Sequence, residues 1–161
     1  YEFSLTFKLA NNEDPEQYVE SLGMNCDDSI IGIGTLGLIG LTFDREADSA
    51  IQAVISAIKD IRAVIPHATL IEAQPDLVGL SDFATLMGCS RQYARELMQK
   101  TEGFPAPVHA GKSSIWHLSS ILKSLPSKDQ GLHDLSEVTR QLNIARELAE
   151  TPVKQEFKEL V

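Results

Sequence analysis

The chain lacks an apolar run long enough to cross a bilayer. Its longest, Ile30 to Leu41, is interrupted by four glycines and falls short of the roughly 20 residues that a membrane helix needs. No basic segment followed by an apolar core opens the sequence, so no secretory signal is expected. Cysteine is scarce. Cys26 and Cys89 supply neither a disulfide framework nor a zinc pattern, and a reducing cytoplasm fits. His67, His109, His117 and His133 show no ligand spacing, and no Ser/His/Asp set stands out. Neither a cofactor nor enzymatic chemistry is expected. Basic charge is also short, with 14 Lys and Arg against 23 Asp and Glu and a net charge of -9. As a total, that disfavours nucleic acid as a partner.

What is present is a core and an uneven charge distribution. With 161 residues, 43% of them hydrophobic, the chain can bury one medium domain or two small ones. Residues 1–77 carry 4 basic and 13 acidic side chains. Residues 126–161 carry 5 and 7. Only residues 78–125 are positive, with Arg91, Arg95, Lys100, Lys112 and Lys123 against 3 acids. A local basic face outweighs the total, because charges are screened over about 10 Å at 0.1 M salt.

The first segment reads as an α+β unit. Tyr1, Phe3, Leu5, Phe7 and Leu9 alternate with Glu2, Ser4, Thr6 and Lys8, the period of a strand with one buried face. Asp14-Pro15 starts a helix, with Asp14 as cap and Gln17 placed for a reciprocal bond. Ile30–Ile33 and Ile39–Phe43 are expected strands around a Thr35-Leu36-Gly37 turn. Asp44 is the expected cap of a long helix to about Val64, with Ala47, Ile51, Val54, Ile58, Ile61 and Ile65 inward. Thr69–Ala73 makes the last strand before Pro75. The order is β-α-β-β-α-β, the ferredoxin-like pattern. Dimerisation or sensing are its expected roles.

Gly32-Ile33-Gly34-Thr35-Leu36-Gly37 matches G-x-G-x-x-G. A dinucleotide site needs those glycines to open a helix and an acid about 20 residues on. Here a β pattern follows, and Gln52 stands at that distance. A tight hairpin is the better reading.

The middle segment carries the functional signal. Ser81 is the expected cap of a helix with Phe83, Ala84 and Met87, or Leu86, inward, and Gly88 ends it with a left-handed turn. Ser90 caps a second helix with Tyr93 or Ala94, Leu97 and Met98 inward. This is a helix-turn-helix pattern. Arg91, Gln92 and Arg95 lie near the start of the second helix, where Arg can bond guanine twice and Gln adenine twice. Ser90 and the first free amides can meet a phosphate. An ordinary helical hairpin with a solvated Arg/Gln face fits the same residues. Phe104-Pro105-Ala106-Pro107-Val108 is extended, His109–Ser113 reads as a turn, and Ser114–His117 returns as a strand. Lys112, at the tip beside Ser113, can reach a phosphate or the minor groove. Trp116 is expected in the core, and His117 as an exposed or hydrogen-bonded histidine rather than a metal ligand.

These residues carry a resemblance. Leu80-Ser81-Asp82-Phe83-Ala84, Met87-Gly88-Cys89-Ser90-Arg91-Gln92, Phe104-Pro105-Ala106-Pro107-Val108, Gly111 and Trp116 make residues 78–125 similar to the winged helix-turn-helix of the excisionase-like and MerR-like families. The resemblance implies binding of double-stranded DNA by the helix beginning at Ser90, supported by the wing. The implied contact set is Ser90, Arg91, Gln92, Tyr93, Arg95, Lys112 and Ser113. Such wings commonly carry a basic cluster; this one has Lys112 followed by Ser113 and Ser114.

Residues 127–131 read as a polar linker. A helix is expected from Asp134 or Ser136 to about Glu150, with Leu135, Val138, Leu142, Ala145 and Ala149 at heptad spacing. It suits either a dimer or packing on its own domain. Three parts are therefore expected: a ferredoxin-like α+β domain at 1–75, a winged helix-turn-helix at 76–126, and a linker, helix and tail at 127–161. The expected function is a sequence-specific DNA-binding regulator, a repressor or nucleoprotein-assembly factor acting as a cytoplasmic homodimer or larger homo-oligomer, with no membrane role. A protein-protein adaptor and an effector-gated small-molecule sensor are the alternatives. For the latter, the glycine-rich hairpin or the first domain's dimer interface would hold the ligand.

Overall fold

Phe3, Leu5 and Phe7 are buried on one side of β1 (Glu2–Lys8), while Glu2 and Lys8 stay exposed at its ends, as the two-residue period requires. The computed structural model describes residues 1–35, 37–125 and 129–161. Leu36 in the expected hairpin turn, Pro126, and Ser127-Lys128 of the expected linker lie outside the described residues.

The chain is α+β with antiparallel sheets. β1 is followed by a 3-10 turn (Pro15–Tyr18), α1 (Val19–Asn25), β2 (Ser29–Ile33), β3 (Leu38–Asp44), α2 (Ala50–Val64) and β4 (Thr69–Gln74). The four strands pair antiparallel in the order β2-β3-β1-β4. Leu5, Phe7, Ile39, Leu41 and Phe43 of the sheet close a core with Leu22 of α1 and Ala53, Val54, Ala57 and Ile61 of α2. Phe3 stacks on Phe43 at 5.1 Å. Each fully buried Leu, Ile or Phe contributes about 1.5–3 kcal/mol over leaving it in water.

Two starts differ from the sequence expectation. Asp14 does cap, accepting from Glu16 N at 3.0 Å, but it caps the 3-10 turn that precedes α1. Asp44 is no cap. Its N–H donates to Asp28 O, and Arg45 N donates to Tyr1 O, both at 2.9 Å. The backbone is thus held by the sheet through residue 45, and Ser49 caps α2 by accepting from Gln52 N. The buried face of α2 is accordingly rotated. Ala50, Ala53 and Ala57 let it approach the sheet, and Ile51 is left 53% exposed.

A second unit follows. β5 (Leu77–Val78) leads into α3 (Leu80–Leu86), α4 (Arg91–Lys100), β6 (His109–Ala110), β7 (Ser114–His117) and α5 (Leu118–Ser124). A three-stranded sheet runs β5-β7-β6. Its core joins Val78, Phe83, Ala84, Ala94, Leu118, Ile121, Leu122 and Leu125. β5 was not expected: two residues are too few to show a period. Gly79 caps α3, its N–H donating to Asp82 Oδ2 at 2.9 Å, so Ser81 lies inside the helix, and Leu86 and Met87, expected as inward candidates, are exposed because Phe83 and Ala84 take the buried side.

α6 (Gln130–Glu150) packs on β4, α2 and α5, and a last turn, α7 (Gln155–Lys158), is exposed. α6 starts earlier than Asp134 because Asp129 accepts from Leu132 N at 2.9 Å. Leu135 joins the first core, with Val138 and Leu142 against it. Ala145 and Ala149 are exposed. No helix among the described residues is long and apolar enough to cross a membrane.

The two units meet at Asp76, between β4 and β5. Its buried carboxylate is hydrogen-bonded to His117 Nδ1 at 2.6 Å and accepts from Asn143 Nδ2 of α6 at 2.8 Å. Its carbonyl accepts from Leu118 N at 2.7 Å. Asn143 also accepts from Ala73 N at 2.8 Å and donates to Ala73 O at 2.9 Å, closing the β4 edge of the first sheet. Thr139 Oγ1 donates to Pro75 O at 2.6 Å. Asn143→Ala would strand the Ala73 amide and one Asp76 oxygen in the interior. A loss of about 3 kcal/mol is expected, since each unmet buried group costs about 1–3 kcal/mol. Urea unfolding checks this, and an unchanged midpoint would refute the role given to Asn143.

Candidate nucleic-acid interface

The second unit seats α4 by a sharp turn. Gly88 adopts φ 62°, a conformation that disfavours any side chain. Gly88 N donates to Thr85 O at 3.1 Å and Cys89 N to Ala84 O at 2.9 Å, closing the end of α3. Ser90 then caps α4, its hydroxyl accepting from Tyr93 N at 3.1 Å. Ala94 is the buried contact of α4, with Leu97 and Met98 packed beside it. Of the two inward candidates at this turn of the helix, Ala94 takes the position and Tyr93 lies outside, exposed.

The outer surface of α4 follows from that anchor. Arg91, Gln92, Tyr93 and Arg95 are all exposed. Arg91 and Arg95 are one turn apart and share a flank. Neither makes an ion pair among the described residues. Gln92 lies on the next row, where its Nε2 reaches Glu96 Oε1 at a long 3.4 Å, and Glu96 faces Lys100 at 3.7 Å. The helix thus presents a free cationic flank beside a self-compensated row.

The hairpin shares the same core. Trp116 Nε1 donates to Pro105 O at 3.1 Å, and its ring meets Phe104 edge-on at 6.1 Å. Trp116 is a packing residue, which ties the extended 104–108 segment to β7. Val108 N donates to Ile115 O at 2.8 Å, and His109 pairs with Ile115. His109 and Ala110 are therefore strand, and the turn is residues 111–113, with Lys112 and Ser113 exposed at the tip. β5 pairs with the other side of β7, so the hairpin is anchored rather than free. Ser90, Arg91, Gln92, Tyr93 and Arg95 are together on the first turns of α4. Lys112 and Ser113 lie on the hairpin tip of the same packed unit. Both rings and the inner face of α4 belong to one core.

Two clusters escaped the sequence reading. The first is the Asp76–His117–Asn143 junction. The second surrounds Arg45, which is buried and bonds Asp28 through Nε (2.6 Å) and Nη2 (2.9 Å), Ser56 Oγ (2.9 Å) and Asp60 (2.8 Å), and lies over the Phe43 ring. Asp28 is the partner of a buried guanidinium. Burial pushes the Cys26 thiol up to about 11, with Asp60 adding to it, so Cys26 is inert filler. A cleft of about 850 Å³ lies between the units, lined in part by Ser4, Thr42, Gln74, Leu77, Thr85 and Leu86. None of the described residues of the glycine-rich hairpin lines it.

Comparison with protein-family models, with curated proteins and with solved structures finds no match to this chain.

The Arg45 hydrogen bond holds the Asp28 carboxyl below its ordinary value near 3.8, against the opposing effect of burial. A carboxylate depressed on folding stabilises above its unfolded pKa and loses that contribution as pH falls through its folded value. Below about pH 5, wild type is therefore expected to lose stability more steeply than Asp28→Asn. Denaturant midpoints measured across the acid range check this. Parallel curves would show that the pair does not couple to folding.

Proposed function

We propose that the chain is a sequence-specific, double-stranded-DNA-binding regulator, a repressor or nucleoprotein-assembly factor that works as a homo-oligomer. In this reading residues 1–75 are a ferredoxin-like domain and residues 76–126 a winged helix-turn-helix. The β2-β3-β1-β4 order with two helices on one face supports the first assignment. The α3–Gly88–α4 turn followed by an anchored hairpin supports the second. The observation that carries the function is the Arg91/Arg95 flank: exposed, without ion pairs among the described residues, and at the capped start of a helix whose opposite side is buried.

The start of α4 enters the major groove. Arg91 and Arg95 bond guanine O6 and N7, and Gln92 releases its long bond to Glu96 to pair with adenine. Ser90 and Tyr93 meet the phosphates beside them, and Lys112 and Ser113 bring the hairpin tip onto the flanking backbone. The acidic first unit repels DNA elsewhere, which confines contact to this face. Few cations per chain make one copy a weak reader. Two copies on a repeated site gain avidity of about 10² or more without a new contact.

The effector-gated reading is favoured by one feature, the 850 Å³ cleft, because Thr85 and Leu86 of α3 line it. A ligand there would touch the helix on which α4 rests.

Arg91→Ala and Arg95→Ala are each expected to weaken binding to a preferred duplex by about 1–3 kcal/mol. Lys112→Ala is expected to weaken all duplexes alike and lower the salt slope by about 1. Fluorescence anisotropy across a salt series measures both effects. Wild-type affinity in a folded Arg91→Ala/Arg95→Ala double variant would remove α4 as the reader.

A further inference from the structure

The two edges of the first sheet are treated differently. At β4, α6 covers the edge and Asn143 takes both backbone groups of Ala73. Among the described residues, β2 is paired on one side alone, with β3. Gly34 N donates to Leu38 O and Asp44 N to Asp28 O, both at 2.9 Å. Even-numbered residues from 28 to 34 therefore turn their backbone groups toward β3. Antiparallel alternation turns those of Ser29, Ile31 and Ile33 outward. Ser29 N donates to Cys26 O at 3.0 Å, so the N–H groups of Ile31 and Ile33 are the ones left facing outward.

This edge carries none of the usual protection. Ser29–Ile33 holds no charge and no proline, the residues that keep edge strands apart. Ile30 is 77% exposed and Ile33 47% exposed. A row of unmet backbone groups flanked by isoleucine asks for another strand.

We infer that β2 pairs antiparallel with β2 of a second copy of this chain, about a two-fold axis through Ile31, to make one continuous eight-stranded sheet. This register faces Ile31 with the partner's Ile31 and Ser29 with the partner's Ile33, so the outward backbone groups meet. It also sets Ile30 opposite the partner's Gly32. A Cβ built on Gly32 would meet only the Gly40 carbonyl, at 3.8 Å, so the space above it is open and Ile30 fills it. The strand is thus self-complementary, as a two-fold interface must be. Charge fits as well. Asp27 and Asp28 fall opposite the partner's Thr35 and Gly34, and the acidic pairs of the two copies stand at opposite ends of the ribbon. A five-residue pairing buries less than the ~800 Å² per partner of a standard interface, so the dimer forms in a concentration-dependent way. It supplies the contact for the homo-oligomeric part of the proposed function and does not depend on whether α4 reads DNA.

Sedimentation velocity of the full chain over a concentration series, without DNA, tests the pairing. Wild type should move from one chain toward two. Ile33→Pro removes an outward N–H and leaves the β3 ladder whole, because residue 33 is not bonded to β3. Ile30→Lys sets a cation against the partner strand. Each should raise the dimer dissociation constant about tenfold or more, with an unchanged circular-dichroism melt at monomeric concentration. Leu148→Lys, on the exposed side of α6, should match wild type. A wild type that stays monomeric throughout would overturn the pairing. So would a dimer that survives both folded β2 variants, or one lost in Leu148→Lys.

Discussion

A buried carboxylate needs partners, and that of Asp76 finds one on each of its oxygens. It sits where the first sheet ends and the second unit begins, and it holds His117 of the hairpin strand and Asn143 of α6, while the residue's backbone carbonyl takes the amide of Leu118. Removing a partner from such a group leaves charge or amide unmet in the interior, which costs more than the bond itself is worth. The consequence is geometric. α6 is fastened to β4 through Asn143, to Pro75 through Thr139 and to α5 through Arg140, which donates to Ser119 and Ser120. The hairpin strand is fastened to the same carboxylate. The orientation of α4 to the first sheet therefore follows from a polar junction rather than from a linker.

That rigidity matters for the proposed reader built from two copies. If the first sheets pair through β2, the separation of the two α4 helices is set by the junction. The spacing of the half-sites follows from it, since half-sites are read at fixed multiples of the duplex turn. A flexible connection would allow many spacings and lose most of the gain from linkage. The charge distribution acts in the same direction. The acidic first unit disfavours non-specific adhesion, and the Arg91/Arg95 flank provides attraction over one small face.

Much of the fold was legible because local chemistry and tertiary burial agreed. The odd residues of β1, the left-handed Gly88, the Ser90 cap and the packing role of Trp116 all follow from single residues in unambiguous positions. Errors arose where tertiary contacts overrode a local signal. Asp44 looked like a cap, but its N–H belongs to the sheet. Ile51 looked inward by spacing, but alanines take the buried side of α2. The junction was hidden for a different reason. Ser136, Thr139 and Asn143 form a buried polar row on α6, and hydrophobic periodicity does not register polar burial. A row of small polar residues at three- and four-residue spacing was the available signal. The candidate site was legible as a set of exposed residues on α4. Its partition into a free cationic flank and a compensated Gln92–Glu96–Lys100 row required the structure.

The account stands most directly on whether this face selects a sequence. Purified chain would be offered a pool of random duplexes at about 0.1 M salt, a concentration that leaves phosphate contacts measurable. The account predicts an enriched motif with a guanine-containing half-site repeated at one fixed spacing. Recovery of the pool unchanged, from protein shown to be folded, would contradict it.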